Sequence, residues 1–273
     1  MNRSKWVLWG LGLILALGFV GCGGQGGGDA RTVNASLGTW NYGGQNLGLA
    51  FVLWADLQAP TSPDGFKVTV TGPSSASPIT YGPFRYEFSG PMFRWWLRSG
   101  VVPATGDHTI SATPNASQSL NRTFKLDANS TLPQPQNVTV QATQNSATFS
   151  WSSVSGAKSY YVELWQLDNQ GNPISPPRFT WHTTATQVQF TQNAGIQLPP
   201  GNYRARVFAA SVDLTQLYRP GQAAQLDPQF NISSAWSQQA VQVQSVGTLR
   251  VVPAPDTAPV LPPEPDAEGG SSQ

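Results

Sequence analysis

The feature that most restricts this chain is a period-two alternation of apolar and polar residues, interrupted every ten residues or so by Pro, Gly or Asn. Val138 and Val140 alternate with Thr139 and Gln141, and Ala147, Phe149 and Trp151 alternate with Thr148 and Ser150. Residues 160–164 run into the turn-forming Asp168-Asn169-Gln170-Gly171-Asn172-Pro173, and residues 178–183, 187–191, 202–210 and 240–246 continue the series. Side chains of a strand point alternately to opposite faces, so short alternating runs of this kind predict antiparallel strands with one face buried. Composition agrees: charged residues make up 11%, and there are 23 prolines and 27 glycines. An average soluble domain carries about 25% charged residues, and a chain this poor in them is badly suited to helices laced with ion pairs.

Residues 32–127 repeat the pattern. Leu49, Phe51 and Leu53 alternate in one stretch, and Phe66, Val68 and Val70 in the next. Phe84, Tyr86 and Phe88 share a face opposite Arg85 and Glu87. Residues 106–112 read as a late strand entered through a Gly106-Asp107 turn, and residues 122–126 as the closing strand. The predicted class is all-β, with two tandem antiparallel β-sandwiches at 32–127 and 137–250, a linker at 128–136 and a disordered, proline-rich acidic tail at 251–273. The stretch from Pro253 holds six prolines and four acidic residues and no basic one, a composition that predicts extended, solvated chain. The segment 211–234, with Leu214, Leu217, Tyr218 and Phe230, is too long for a bare connection. It predicts a piece that packs down, over the interdomain junction or as a short helix near 213–218.

Several residues of the second half resemble a fibronectin type III domain. Pro135 precedes the first strand, Trp151 ends the second, and Tyr160-x-Val162 sits in the third. Leu198-Pro199-Pro200-Gly201-Asn202-Tyr203, leading into Arg204-Ala205-Arg206-Val207, is similar to that fold's tyrosine corner, in which a tyrosine hydroxyl bonds backbone a few residues upstream. The resemblance covers residues 131–247 and departs from the family at 211–234. Residues 32–127 resemble an immunoglobulin-like sandwich.

The first residues carry a different message. Arg3 and Lys5 precede an uncharged run from Trp6 to Val20, followed by Gly21-Cys22-Gly23-Gly24. A helix over that run spans about 22 Å against a hydrocarbon core of roughly 30 Å, so the pattern fits a signal peptide at 1–21 better than a membrane span. Cys22 is the one cysteine in 273 residues, which rules out a disulfide framework within the chain. Phe19-Val20-Gly21-Cys22 resembles the lipobox of bacterial lipoproteins, which implies lipidation of the Cys22 thiol and membrane attachment outside the cytoplasm. An ordinary secreted protein with a stray cysteine is the competing account. Glycine-rich residues 22–31 read as a flexible tether.

Little in the sequence supports catalysis. His108 and His182 are the two histidines, one per predicted sandwich, too few for a tetrahedral metal site. No paired carboxylates, nucleophile elbow or phosphate loop appears, and Asp168–Asn172 is better explained as a hairpin turn than as a calcium loop. With a net charge of +1 and scattered arginines, a nucleic-acid footprint is absent. The reading is a non-enzymatic, lipid-anchored cell-envelope protein without a cofactor, whose sandwiches mediate protein binding, adhesion or envelope organisation; a carbohydrate-binding accessory lipoprotein using exposed tryptophans is the alternative.

Ten tryptophans, eight of them beyond the signal peptide, are the excess that invites a functional reading. If Phe93, Trp95 and Leu97 face inward, Trp96 lies outside between Arg94 and Arg98. By the same alternation Tyr161, Glu163 and Trp165 face outward beside Arg204, Arg206 and Phe208. Arginine stems stacking over aromatic faces, joined by Trp236-Ser237, give one account, similar to the arginine–tryptophan stacking of cytokine-receptor sandwiches. An aromatic platform for a protein or a carbohydrate is the other.

Overall fold

A computed structural model describes residues 33–43, 46–57, 59–73, 78–87, 90–101, 104–191, 196–217, 229–244 and 249–252. The predicted signal peptide, Cys22, the tether, Phe88, Tyr218 and the stretch from Pro253 lie outside the described residues. The described chain is almost entirely strand. It comprises β1 (Val33–Gly43), β2 (Asn46–Leu57), β3 (Phe66–Thr71), β4 (Ile79–Phe84), β5 (Gly90–Arg98), β6 (Gly106–Asn115) and β7 (Gln118–Leu126). Next come β8 (Thr139–Thr143), β9 (Ser146–Ser150), β10 (Ser159–Leu167), β11 (Pro173–Thr183), β12 (Gln187–Thr191) and β13 (Gly201–Ala210). A one-turn helix α1 (Leu214–Leu217) precedes β14 (Ile232–Trp236), β15 (Ala240–Val243) and β16 (Leu249–Val252).

Most predicted strands are present, and two features differ. The strand expected around Phe84–Phe88 ends at Phe84, because the pairing of β4 with β3, which starts at Ile79 opposite Val70, stops at Phe84 opposite Phe66. The second sandwich runs on through β16 to Val252, which pairs with Ala240. The expected short helix appears as α1, capped by Asp213, whose Oδ1 accepts hydrogen bonds from the Thr215 backbone N–H and hydroxyl.

Outer sheets β4-β3-β6-β7 and β12-β9-β8 are separate, but the two inner sheets are one. Its order is β11-β10-β13-β14-β1-β2-β5, crossing from the second sandwich to the first where β1 runs parallel to β14. Trp40 pairs with Ile232 and Asn41 with Ser233, and the Phe230 N–H donates to the Leu37 carbonyl. A Cβ on Gly38 would run into the Phe230 carbonyl, so this approach of two backbones needs a glycine.

Three cores show how the long sheet is arranged. Ala35, Leu37, Phe51, Leu53 and Trp96 face the first outer sheet. Val162, Leu164, Ala205 and Val207 face the second, together with Phe149 and Trp151. The opposite faces of these same strands meet each other, Trp40, Val52, Trp54, Trp95 and Leu97 packing on Tyr161, Phe208, Ala210 and Ile232. The long sheet therefore folds back at the β14–β1 seam, and four layers stack with three cores between them. Strand β2 lies in a middle layer, and every residue from Leu49 to Ala55 is at most 2% exposed. Its sequence is the unbroken apolar run that burial on both faces demands.

The segment predicted as a linker is tied along this seam. Ser130 and Leu132 carbonyls accept from Thr39 and Asn41 on β1, and the Pro133 carbonyl accepts from Ser233 on β14. Gln134 donates to the Ser234 carbonyl. Val212, Leu214 and Phe230, from the long segment after β13, complete the middle core.

Candidate functional site

Adjacent tryptophans on β5 settle the first group of expected site residues. Trp96 stands opposite Phe51 and stacks on it at 5.1 Å, with Phe84 at 4.8 Å and Tyr81 at 5.6 Å. Trp95 points the other way, edge-on to Tyr161 at 5.3 Å and to Phe208 at 5.4 Å. Each is 4% exposed. The expectation that Trp96 lies outside is thus corrected, because β5 has a covering layer on both sides and no solvent face at this point. Arg94 is half-buried and Arg98 exposed, on strand positions that face away from the second sandwich.

Tyr161 and Phe208 are corrected in the same way. The alternation places both outward; they are outward from their own sandwich, but the first sandwich covers them, leaving 5% and 2% exposed. Arg206, likewise expected outside, is buried. Its guanidinium carbon sits over Phe208 at 4.6 Å, Trp236 at 5.3 Å and Trp40 at 5.5 Å. It joins rings from both sandwiches, and a desolvated cation–π contact of this kind contributes ~2 kcal/mol or more. The Trp40 indole N–H donates to the Ser234 hydroxyl beside it.

Further along the same face the cover ends, and Glu163, Trp165, Arg204 and Trp236 are half-buried. Trp165 stands opposite Arg204 and Glu163 opposite Arg206. The Trp165 indole N–H donates to Glu163 Oε2 at 2.7 Å, and its ring leans on Trp236 with centroids 6.2 Å apart. Arg204 lies over Trp236 at 5.6 Å and donates through Nε and one terminal nitrogen to the Ser237 carbonyl, at 3.2 and 2.6 Å. Partial burial lowers the Arg204 pKa from its ordinary value, and the group remains a cation at neutral pH. The predicted arginine–tryptophan stack, including Trp236-Ser237, is therefore present. Its position is set by the strands: seven residue steps from Val33 to Trp40 and four from Ile232 to Trp236 place the ladder about 35 Å along the strand axis from the start of β1.

Sequence reasoning missed Trp181. On edge strand β11 it is 49% exposed and meets Phe190 edge-on at 5.3 Å. Although it is the most open tryptophan among the described residues, its place in an ordinary alternating run hid it. An open groove of about 720 Å3 crosses the outer face of β3, β6 and β7, lined by Lys67, Thr69, Ser111, Thr113, Ser119 and Asn121 among others. It contains none of the expected site residues and presents hydroxyl and amide groups beside the charged Asp64 and Lys67, without an open aromatic ring.

The remaining singled-out groups are structural. The Tyr203 hydroxyl donates to the Pro199 carbonyl at 2.7 Å, which is the tyrosine corner the turn sequence predicts. Asp168 accepts from the Asn172 and Gln170 backbone N–H groups; those bonds, the Asn172 one foremost, hold its carboxyl below the usual range and close the β10–β11 turn. His182 stacks on Tyr161 at 4.5 Å, and burial pushes its pKa down to about 4. Among the described residues no three His, Cys, Asp or Glu side chains are grouped so as to hold a metal ion.

Comparison with known proteins adds little beyond fold. No family model and no curated protein matches the chain. The crystal structure of FN3tt is 18% identical over 42% of this chain and 98% of its own, with a TM-score of 0.23. The FN1–FN3 domains of chicken CNTN1 are 12% identical over 66% of this chain and 62% of theirs, at 0.25. A cytokine receptor complex is 11% identical over 81% and 96%, at 0.27. The fold itself rests on the strand pairing. The chain is all-β, two antiparallel β-sandwiches in tandem whose inner sheets join through β1 and β14.

Proposed function

We propose that this chain is a non-catalytic, lipid-anchored protein of the bacterial envelope that holds a protein partner on the ladder face of its second sandwich. The observation that carries the reading is the ladder's partial cover. One aromatic–arginine face runs under the first sandwich and then emerges, still stacked, with Trp165, Arg204 and Trp236 half-open. Tryptophan and arginine dominate the energetic centres of protein interfaces, and side chains already held by neighbours lose little entropy when a partner closes over them. Lipidation at Cys22, outside the cytoplasm, would hold the chain at a membrane surface.

A carbohydrate platform is the alternative. It needs open ring faces, whereas Trp236 carries two guanidinium groups and Trp96 is enclosed. Trp181 is the observation in its favour. A photo-crosslinking residue at the exposed position 238, beside Trp236 and Ser237, should give a discrete protein adduct in cells that the same residue at position 121, on the far outer sheet, does not. Absence of that adduct, with glycan binding that depends on Trp181, overturns the reading in favour of the alternative. The anchor has its own test. A palmitate analogue should label the wild-type chain and leave Cys22→Ser unlabelled; equal labelling of both counts against it.

A further inference from the structure

The end of the second sandwich lies close to the ladder. Strand β15 pairs with β13 at Gly201, Asn202 and Tyr203, and β16 pairs with β15 so that Val252 stands opposite Ala240. This register puts Val252 level with Arg204, two strands away, or about 10 Å at normal strand spacing. Strand β16 runs parallel to β13, so the chain leaves it in the direction of Arg204 and then Arg206.

The chain beyond Val252 has a matching chemistry. Residues 253–273 contain Pro253, Pro255, Pro259, Pro262, Pro263 and Pro265, with Asp256, Glu264, Asp266 and Glu268 and no lysine or arginine. Proline-rich chain favours the polyproline II helix, whose preset backbone docks between aromatic rings at small entropic cost. Carboxylates pair with guanidinium groups. The ladder offers Trp165 and Trp236 as rings. Arg204 offers the terminal nitrogen that Ser237 does not engage among the described residues. Reach is no obstacle, since four residues of polyproline II chain span about 12 Å, enough to carry Asp256 across the two strand spacings that separate Val252 from Arg204.

We propose that the acidic, proline-rich segment 253–273 docks on the Trp165–Arg204–Trp236 ladder of its own chain and competes there with the partner. This rests on the reading of the ladder as a binding face and adds an occupant and a mode of regulation to it. Attachment beside the site gives an effective concentration of about mM, so even an interaction of mM affinity keeps the ladder about half occupied. A partner must then displace the segment, and an increase in salt that weakens the carboxylate–arginine contacts opens the face.

The lone cysteine makes the test direct. In full-length Cys22→Ser protein, Ala267→Cys carries a nitroxide label, and broadening of the tryptophan indole N–H signals is read by NMR. Docking predicts severalfold greater broadening for Trp165 and Trp236 than for Trp151 and Trp181. It also predicts loss of that contrast when Asp256→Asn, Glu264→Gln, Asp266→Asn and Glu268→Gln are combined. Uniform broadening, or a contrast indifferent to the four changes, overturns the proposal. No partner is needed for this measurement. Selective broadening without a crosslinked adduct at position 238 would therefore sink the partner reading and leave the docking standing. An adduct without selective broadening would do the reverse.

Discussion

Two halves of one sheet face in the second sandwich have different fates. At one end Tyr161, Phe208 and Ala210 lie under the first sandwich with Trp95 pressed against them. Two to four residues along the same strands, Glu163, Trp165 and Arg204 stand half-open. The covered end is apolar, and the open end carries charge and hydrogen-bonding heads on aromatic bodies. Arg206 marks the boundary, buried yet stacked on rings from both sandwiches. A long apolar strand face is thus absorbed by a neighbouring domain as far as that domain reaches, and beyond it the side chains change to types that tolerate both water and a partner.

The contrast breaks most severely at Trp95. Replacement by Ala removes the ring that meets both Tyr161 and Phe208, and a buried aromatic truncation costs about 3–5 kcal/mol. Chemical denaturation should then resolve two transitions where the parent shows one; a single unshifted transition would mean the middle core does not couple the sandwiches. Gly38→Ala attacks the same coupling through the backbone, forcing β1 away from Phe230 at a cost of about 3 kcal/mol, again read as a shift in the denaturation midpoint.

A smaller effect depends on pH. Burial lowers the His182 pKa from 6.5 to about 4, so the unfolded chain takes up this proton first. Stability is complete above pH 6.5, declines as pH falls toward 4, and stops declining once the folded imidazole also protonates. The gap corresponds to about 3 kcal/mol at most, and His182→Gln should flatten the profile over that window. An unchanged slope in the variant would place the acid sensitivity elsewhere. At the open end, Trp165→Ala and Arg204→Ala should each cost less than about 1 kcal/mol of stability while weakening partner capture. A larger loss in the denaturation midpoint would make the ladder a structural strut.

Much of the first-order fold was legible. Alternation located the strands of the second sandwich, and Leu198-Pro199 before Tyr203 announced the corner that Tyr203 and Pro199 make. The arginine–tryptophan stack was legible too, because Arg204 and Arg206 share a face by alternation and Trp236-Ser237 resembles the motif that stacks with such arginines. What the alternation concealed was the second face. Leu49, Phe51 and Leu53 form one stripe, but Ala50, Val52 and Trp54 between them are equally apolar, and Trp95-Trp96 and Tyr160-Tyr161 repeat the signal. Such runs indicate burial on both sides, hence a middle layer. The β1–β14 pairing had no comparable signature, since it joins residues 192 apart through backbone bonds and the missing side chain of Gly38.

That parallel pairing has a mechanical side. A tug on the chain at Val33, resisted at the ladder, would run along the axis shared by β1, β14 and β2. The hydrogen bonds on both flanks of β1 would then be loaded sideways and together, where a hairpin pulled from its open end surrenders them singly. Because failure under load is governed by the rate of crossing the barrier, a molecule built this way can stay shut under a traction that would unzip an end-loaded sandwich.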